Sequence, residues 1–223
     1  MKHGLIFDLD GTLVDSLQGL ATSLNYALTL SGMPTHDHVA VRGFIGNGTR
    51  ILIQRSSPKG AGEALLNTAE QAFKAHYDLT WQDGTLIYAG IIDLLESLQS
   101  CGHPLAVLSN KPHPFTTAMV GHLFPGIRFA AVVGQRAGIP HKPDPAGALE
   151  IAKAFNLTAA NCTVIGDSTM DLETARHAGM QAIAVTWGFH DRERLVAAGA
   201  EQIADCPSEL LELLRVAPLD CET

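Results

Sequence analysis

Leu5-Ile6-Phe7-Asp8-Leu9-Asp10-Gly11-Thr12-Leu13-Val14 is an apolar run that stops at two aspartates one residue apart and then turns through a glycine and a threonine. Such a run suits a fully buried strand, and Gly11 lets the backbone bend where a side chain would obstruct it. Asp8 then stands at the strand's carboxyl end, where open α/β sheets hold their ligands. Two carboxylates in that position repel each other and lose hydration unless a cation joins them. Hard oxygen donors of this kind suit Mg2+. Taken alone, the segment also reads as an ordinary turn, because Asp, Gly and Thr all favour turns. Its partners downstream decide between the two.

Beyond this strand, residues 15 to 80 read as almost entirely helical, with Leu20, Leu24 and Leu28 at fourfold spacing and Ile51 and Leu52 opening a second apolar patch. From about residue 85 the pattern alternates. Helices are expected near Ile91 to Gln99, Phe115 to Leu123, Pro145 to Phe155, Leu172 to Ala178, Arg192 to Ala198 and Pro207 to Arg215. Strands are expected over Pro104 to Leu108, Phe129 to Val133, Cys162 to Ile165 and Ala182 to Val185. Strands alternating with helices mean crossover connections and a parallel sheet. The expected fold is therefore α/β, with a parallel-sheet core from residues 1–14 and 85–223. An all-helical insertion, residues 15–84, would stand beside the carboxyl end of that sheet, over Asp8 and Asp10. The chain from Pro218 onward is expected to fray.

Composition narrows the partners. The chain has 223 residues, 46% of them hydrophobic and 17% charged, which describes a soluble globular protein. A net charge of −8 leaves no basic footprint for nucleic acid, so a bound anion must be held by local cations and backbone amides. No stretch approaches the roughly 20 apolar residues of a membrane span, and the amino terminus reads as lacking a cleavable signal. A cytoplasmic setting is expected. Cys101, Cys162, Cys206 and Cys221 form no Cys-x-x-Cys pair, so reduced thiols are expected instead of a zinc site or redox couple.

Three later segments end apolar runs or turns with polar groups. Ala106-Val107-Leu108 leads to Ser109-Asn110-Lys111, with a hydroxyl and backbone amides expected at a strand end facing a helix start, a geometry that suits phosphate. His141-Lys142-Pro143-Asp144-Pro145 places a lysine between stiffening prolines. Val164-Ile165 leads to Gly166-Asp167-Ser168, with Asp171 four residues beyond Asp167. Singly, Ser109 and Asp167 read as helix caps and Lys142 as a solvated cation. In this order and at these positions, they supply a carboxylate pair, a hydroxyl, a cation and a further acidic ligand to one site.

With these four motifs the chain resembles the haloacid dehalogenase superfamily over its whole length. Within it, the chain looks like the phosphoglycolate phosphatase group, which carries a helical cap inserted after the first motif. Looser support comes from Arg42-Gly43-Phe44-Ile45-Gly46-Asn47-Gly48, Ser109-Asn110-Lys111-Pro112 and Trp187-Gly188-Phe189. The resemblance implies a Rossmann-like core and a Mg2+-dependent phosphatase working through an aspartyl phosphate. Asp8 would be the nucleophile and Asp10 the general acid and base. Mg2+ would be held by Asp8, the backbone carbonyl of Asp10 and Asp167, while Lys142 offsets the remaining negative charge. Ser109 and the amides of Leu9 and Asn110 would bind the phosphoryl oxygens. Asp171 would orient Lys142 or a metal-bound water, and Thr12 would support Asp8 or Asp10. Arg42, Gly46, Gly48 and Lys111 would face the substrate.

A small phosphorylated metabolite such as 2-phosphoglycolate is the expected substrate, with no nucleic-acid or membrane partner. The sequence leaves monomer and homodimer open. Two rival reactions, pyrophosphate hydrolysis and sugar phosphomutation, belong to the same superfamily. The mutases carry a valine at the motif threonine and a histidine near Leu20, whereas this chain has Thr12 and Leu20. A phosphate-binding or signalling module without turnover would need neither Asp10 nor a cap.

Overall fold

The computed structural model describes residues 3–216. The expected frayed tail from Pro218 and the fourth cysteine, Cys221, lie outside the described residues. The chain divides into two compact units, Met1–Leu13 with Ile87–Thr223, and Val14–Leu86.

The first unit is built on six strands: β1 (Gly4–Phe7), β4 (Leu105–Pro112), β5 (Phe129–Gln135), β6 (Cys162–Gly166), β7 (Gln181–Val185) and β8 (Ile203–Ala204). A short β2 (Val14–Asp15) and β3 (Leu86–Ile87) pair separately where the chain leaves and re-enters this unit. The large sheet runs β5-β4-β1-β6-β7-β8, every pairing parallel. The chain builds β4 and β5 on one side of β1, then returns to build β6 to β8 on the other. The strand order thus reverses beside β1, and the crevice at the carboxyl ends there is where such sheets bind ligands.

Strand alternation sends successive side chains to opposite faces. Ile6, Ala106, Leu108 and Val164 pack on one face with Ala148, Ile151 and Ala152 of α7 (Ala146–Phe155) and Ala175 and Ala178 of α8 (Thr169–Ala178). Leu5 and Ile183 meet Leu213 and Leu214 of α10 (Pro207–Val216) on the other, alongside α5 (Ile91–Ser100). α6 (His113–Leu123) joins β4 to β5, and α9 (Arg192–Ala197) joins β7 to β8. α7 and α8 stop on left-handed residues, Asn156 (φ 56°) and Gly179 (φ 68°), which release the backbone from the helix.

The second unit contains α1 (Leu17–Leu30), α2 (His38–Phe44), α3 (Gly48–Ser56) and α4 (Glu63–Thr80). Its two long helices pack together, with Leu20, Leu24 and Leu28 buried on α1 and Leu66, Ala69, Phe73 and Tyr77 buried on α4. Among the described residues, no helix is long and apolar enough to cross a membrane.

Most elements lie within one or two residues of their expected ranges. One difference affects the site: β4 does not stop at Leu108 but continues through Ser109, Asn110 and Lys111 to Pro112. The apolar pattern ends at Leu108 because the neighbouring groups become polar, not because the backbone turns. Ser109 therefore lies inside an extended strand, and the helix start is four residues further on, at His113. The two-residue strands β2, β3 and β8 are too short to leave a periodic signal.

Candidate active site

The crevice beside β1 collects the predicted core residues. After Phe7 the strand ends and the Asp8 amide donates to the Ile165 carbonyl of β6 (2.9 Å), which fixes Asp8 between two strands. The chain then turns, with Leu13 N–H bonded to Leu9 O (3.0 Å) and Gly11 at φ 89°. That left-handed conformation is open to glycine at little cost.

Lys142 Nζ lies 2.9 Å from Asp8 Oδ1 and 2.6 Å from Asp171 Oδ1, and all three residues are buried. The Leu9 amide also donates to Asp8 Oδ1 (2.7 Å), so the nitrogen expected to hold phosphate here holds the carboxylate. Asp171 Oδ2 accepts from the Ser168 hydroxyl (2.6 Å) and amide (3.1 Å). Ser168, not Asp167, is the cap residue of α8. Asp171 thus ties the start of that helix to Lys142.

Asp167 points into the same crevice. Its Oδ1 accepts from Thr12 Oγ1 (3.2 Å) and its Oδ2 from the Phe189 amide (2.6 Å). Thr12 is therefore turned to Asp167 instead of supporting Asp8 or Asp10 as expected, because the turn through Gly11 carries its side chain across to β6. Trp187 Nε1 donates to the Thr12 carbonyl (3.0 Å), which fastens the segment after β7 to the turn after β1.

Asp8, Asp167 and Asp171 each offer an oxygen within 4.8 Å of the others. Three carboxylates sharing one ammonium leave two negative charges in a buried space, the surplus a divalent cation would neutralise. Burial, opposed by Lys142 and reinforced by Asp171 and Asp167, holds the Asp8 carboxyl well above the usual carboxylate range. Burial and then Asp171 push Asp167 up to about 7. Burial works against the charge on Lys142, but Asp171 and Asp8 outweigh it and hold the ammonium above its usual range. Glycines press against this cluster: a Cβ at Gly11 or Gly188 would run into Asp167, and one at Gly166 into Asp171. The acidic, oxygen-only donor set fits a hard divalent metal.

Asp10 is directed elsewhere. Lys111 Nζ, also buried, bonds both of its carboxylate oxygens, at 3.1 and 3.0 Å. Lys111, expected to face substrate, is thus the partner of Asp10. Ser109 Oγ accepts from the Lys111 amide (3.2 Å). The Asn110 side chain bonds the backbone of Lys142 on both sides. Arg42, Gly46 and Gly48 belong to the second unit: exposed Arg42 sits in the last turn of α2, and Gly46 and Gly48 take φ of 117° and 81°.

Sequence reasoning missed the contact of Asn110 with Lys142, the pairing of Lys111 with Asp10, and the part played by residues 187 to 189. The last carried a readable signal. Val185 ends an apolar strand, and Trp187-Gly188-Phe189 follows it as the polar motifs follow the other central strands.

Comparison with known proteins places the chain in a family. The sequence pattern of the family described as haloacid dehalogenase-like hydrolase matches residues 5–185, and the chain belongs to that family. It is 32% identical over 220 residues to the phosphoglycolate phosphatase of Colwellia psychrerythraea, covering 96% of this chain and 97% of that one. The phosphoglycolate phosphatase of Mesorhizobium japonicum is 33% identical over 193 residues, 84% of each chain. Among solved structures, a provisionally assigned phosphoglycolate phosphatase from Lactobacillus delbrueckii subsp. bulgaricus superposes with a TM-score of 0.90 at 32% identity, covering 96% of this chain and 99% of that one.

Proposed function

We propose that this chain is a Mg2+-dependent phosphatase that hydrolyses a small phosphomonoester, 2-phosphoglycolate as the best candidate, through an aspartyl phosphate on Asp8. The observation that carries the reading is the pinned Asp8 carboxylate at the switch point, with Lys142 on one oxygen and a second aspartate two residues on. The substrate follows from the activity named for the relatives at 32 to 33% identity.

In the first displacement a carboxylate oxygen of Asp8 bonds to phosphorus and the ester P–O bond breaks. Asp10 gives its proton to the departing alkoxide. In the second, Asp10 takes a proton from water, whose oxygen bonds to phosphorus as the bond to Asp8 breaks, releasing phosphate. Dividing the reaction in this way replaces one difficult step with two easier ones. Lys142 offsets charge on Asp8 and on the phosphoryl oxygens, Ser109 and the Asn110 amide are assigned to those oxygens, and the Leu9 amide holds Asp8 Oδ1. Lys111 holds Asp10, and Asp171 and Thr12 hold Lys142 and Asp167. Mg2+ bound by Asp8, Asp167 and the Asp10 carbonyl would draw the two anions together and offset developing charge. Arg42, Gly46 and Gly48 are assigned to the substrate's non-phosphate end. The free thiols of Cys101, Cys162 and Cys206 suit a reducing compartment, so the reading places the reaction in the cytoplasm.

The test is phosphate release with Mg2+ across 2-phosphoglycolate, sugar phosphates, nucleotides and pyrophosphate. The highest kcat/KM on 2-phosphoglycolate, lost in Asp8→Asn, is expected. Preference for pyrophosphate would replace the substrate, and no release from any ester would overturn the reading.

A further inference from the structure

Lys142 carries the charge balance of the site, yet its backbone belongs to no strand or helix. It lies between β5 and α7, in a stretch tied by the Arg136–Ile139 bridge, by Asp144 N–H to His141 O (3.0 Å), and by the contact of His177 Nδ1 with Pro143 O (2.9 Å). The Lys142 peptide groups themselves go to one side chain. Lys142 N–H donates to Asn110 Oδ1 (2.7 Å), and Lys142 C=O accepts from Asn110 Nδ2 (3.1 Å). A single planar amide thus completes both groups as a neighbouring strand would. The pairing also fixes the orientation of that amide, since turning it over would set donor against donor and acceptor against acceptor.

Asn110 is well placed to act as a ruler. It sits on β4, which pairs directly with β1, the strand that ends at Asp8. Ala106 and Leu108 pack on the face covered by α7, and Asn110, further along the same strand, meets the Lys142 loop that leads into that helix. A lysine side chain has four rotatable methylene links, so its ammonium finds a set position only if its root is fixed. Here that position is shared between Asp8 at 2.9 Å and Asp171 at 2.6 Å.

Resting on the phosphatase reading, we infer that the Asn110 side chain is a positioning residue for the reaction: it clamps the Lys142 backbone to the strand beside Asp8 and so sets where the Lys142 ammonium meets the phosphoryl group. This is separate from any contact of the Asn110 backbone amide with phosphate, which a side-chain substitution retains.

The test is a double-mutant cycle on the full chain, reading kcat/KM for p-nitrophenyl phosphate with saturating Mg2+ and following thermal unfolding of each variant. Misplacement of a catalytic group by about 1 Å costs up to about a hundredfold, so Asn110→Ala should lose about tenfold to a hundredfold. In a Lys142→Ala background the same change should cost less than about twofold, because there is no ammonium left to place. A general structural role would instead make the two losses multiply. Multiplied losses, or full activity in Asn110→Ala, would overturn the inference. Should Asn110→Ala not fold, Asn110→Asp keeps the shape and the acceptor and removes the donor to the Lys142 carbonyl, and the same two outcomes decide. Absence of phosphate release by the unmodified chain would overturn the phosphatase reading and this inference with it.

Discussion

Gly188→Ala is expected to disable the acidic pocket without removing any ionisable side chain. The added Cβ would find the Gly11 carbonyl oxygen, Asp167 Cβ and Asp167 Oδ2 all inside 3.0 Å, an approach that real Cβ atoms essentially never show. None of these neighbours can step aside cheaply. The Gly11 oxygen is main chain in a turn at φ 89°, and Asp167 is held by Thr12 at 3.2 Å and Phe189 at 2.6 Å. Relief needs a shift on the order of 1 Å in Asp167 or in the 187–189 segment, and a displacement of that size costs about 10² in rate. Overpacking costs about 1 to 3 kcal/mol, against the roughly 5 to 15 kcal/mol typical of a domain, so the variant should still fold. Calorimetric titration should show Mg2+ bound about 10 to 100 times more weakly, with kcat down about a hundredfold at saturating metal. Gly121→Ala, where an added Cβ meets nothing within 4 Å, is the control and should be unaffected. A folded Gly188→Ala with unchanged Mg2+ affinity and kcat would refute the argument that residues 187 to 189 wall the metal site.

Three further outcomes are expected. Chelation should abolish activity and Mg2+ restore it, whereas Ca2+, which takes more ligands at longer distances, should inhibit; full activity in chelator would remove the metal from the account. Asp10→Asn should lose about 10² to 10⁴ in rate on 2-phosphoglycolate and less on p-nitrophenyl phosphate, whose leaving group needs no proton; equal losses would show that Asp10 is not the acid. Folding should also depend on pH, because burial, with Asp171 next, raises Asp167 to about 7 in the folded chain, against about 3.9 unfolded. The folded state then holds its proton where the unfolded state has lost it, so stability present below about 3.9 is lost as pH rises through 7. Tm of the chelated protein should therefore fall between pH 5 and 8, less steeply in Asp167→Asn, and matching slopes would contradict the buried-carboxylate argument.

The sequence carried the parts of the site that are local and lost those that depend on direction. Asp8 and Asp167 are legible because an apolar run followed by a polar group marks the end of a central strand, and the crossover order brings those ends together; Ser109 is legible as the first polar residue after the apolar part of β4, although that strand continues to Pro112. Asn110 was read only for its backbone amide, because the apolar signal of β4 stops at Leu108 while the strand continues to Pro112. The polar end of the strand is where the Asn110 side chain meets the loop that carries Lys142. Thr12 was assigned to its neighbours in sequence, although the turn through Gly11 swings it to Asp167, 155 residues away. The sequence leaves Lys111 facing the substrate, and in the structure its ammonium meets Asp10. The pattern in these cases is the same. Residue type and strand ends announce which groups enter the crevice, but which cation serves which carboxylate is decided by side-chain direction across strands that the one-dimensional pattern does not pair. Two ammonium groups and four carboxylates therefore have one arrangement in the structure where the sequence allows several, and that arrangement gathers Asp8 and Asp171 around Lys142, with Asp167 close by, and pairs Asp10 with Lys111.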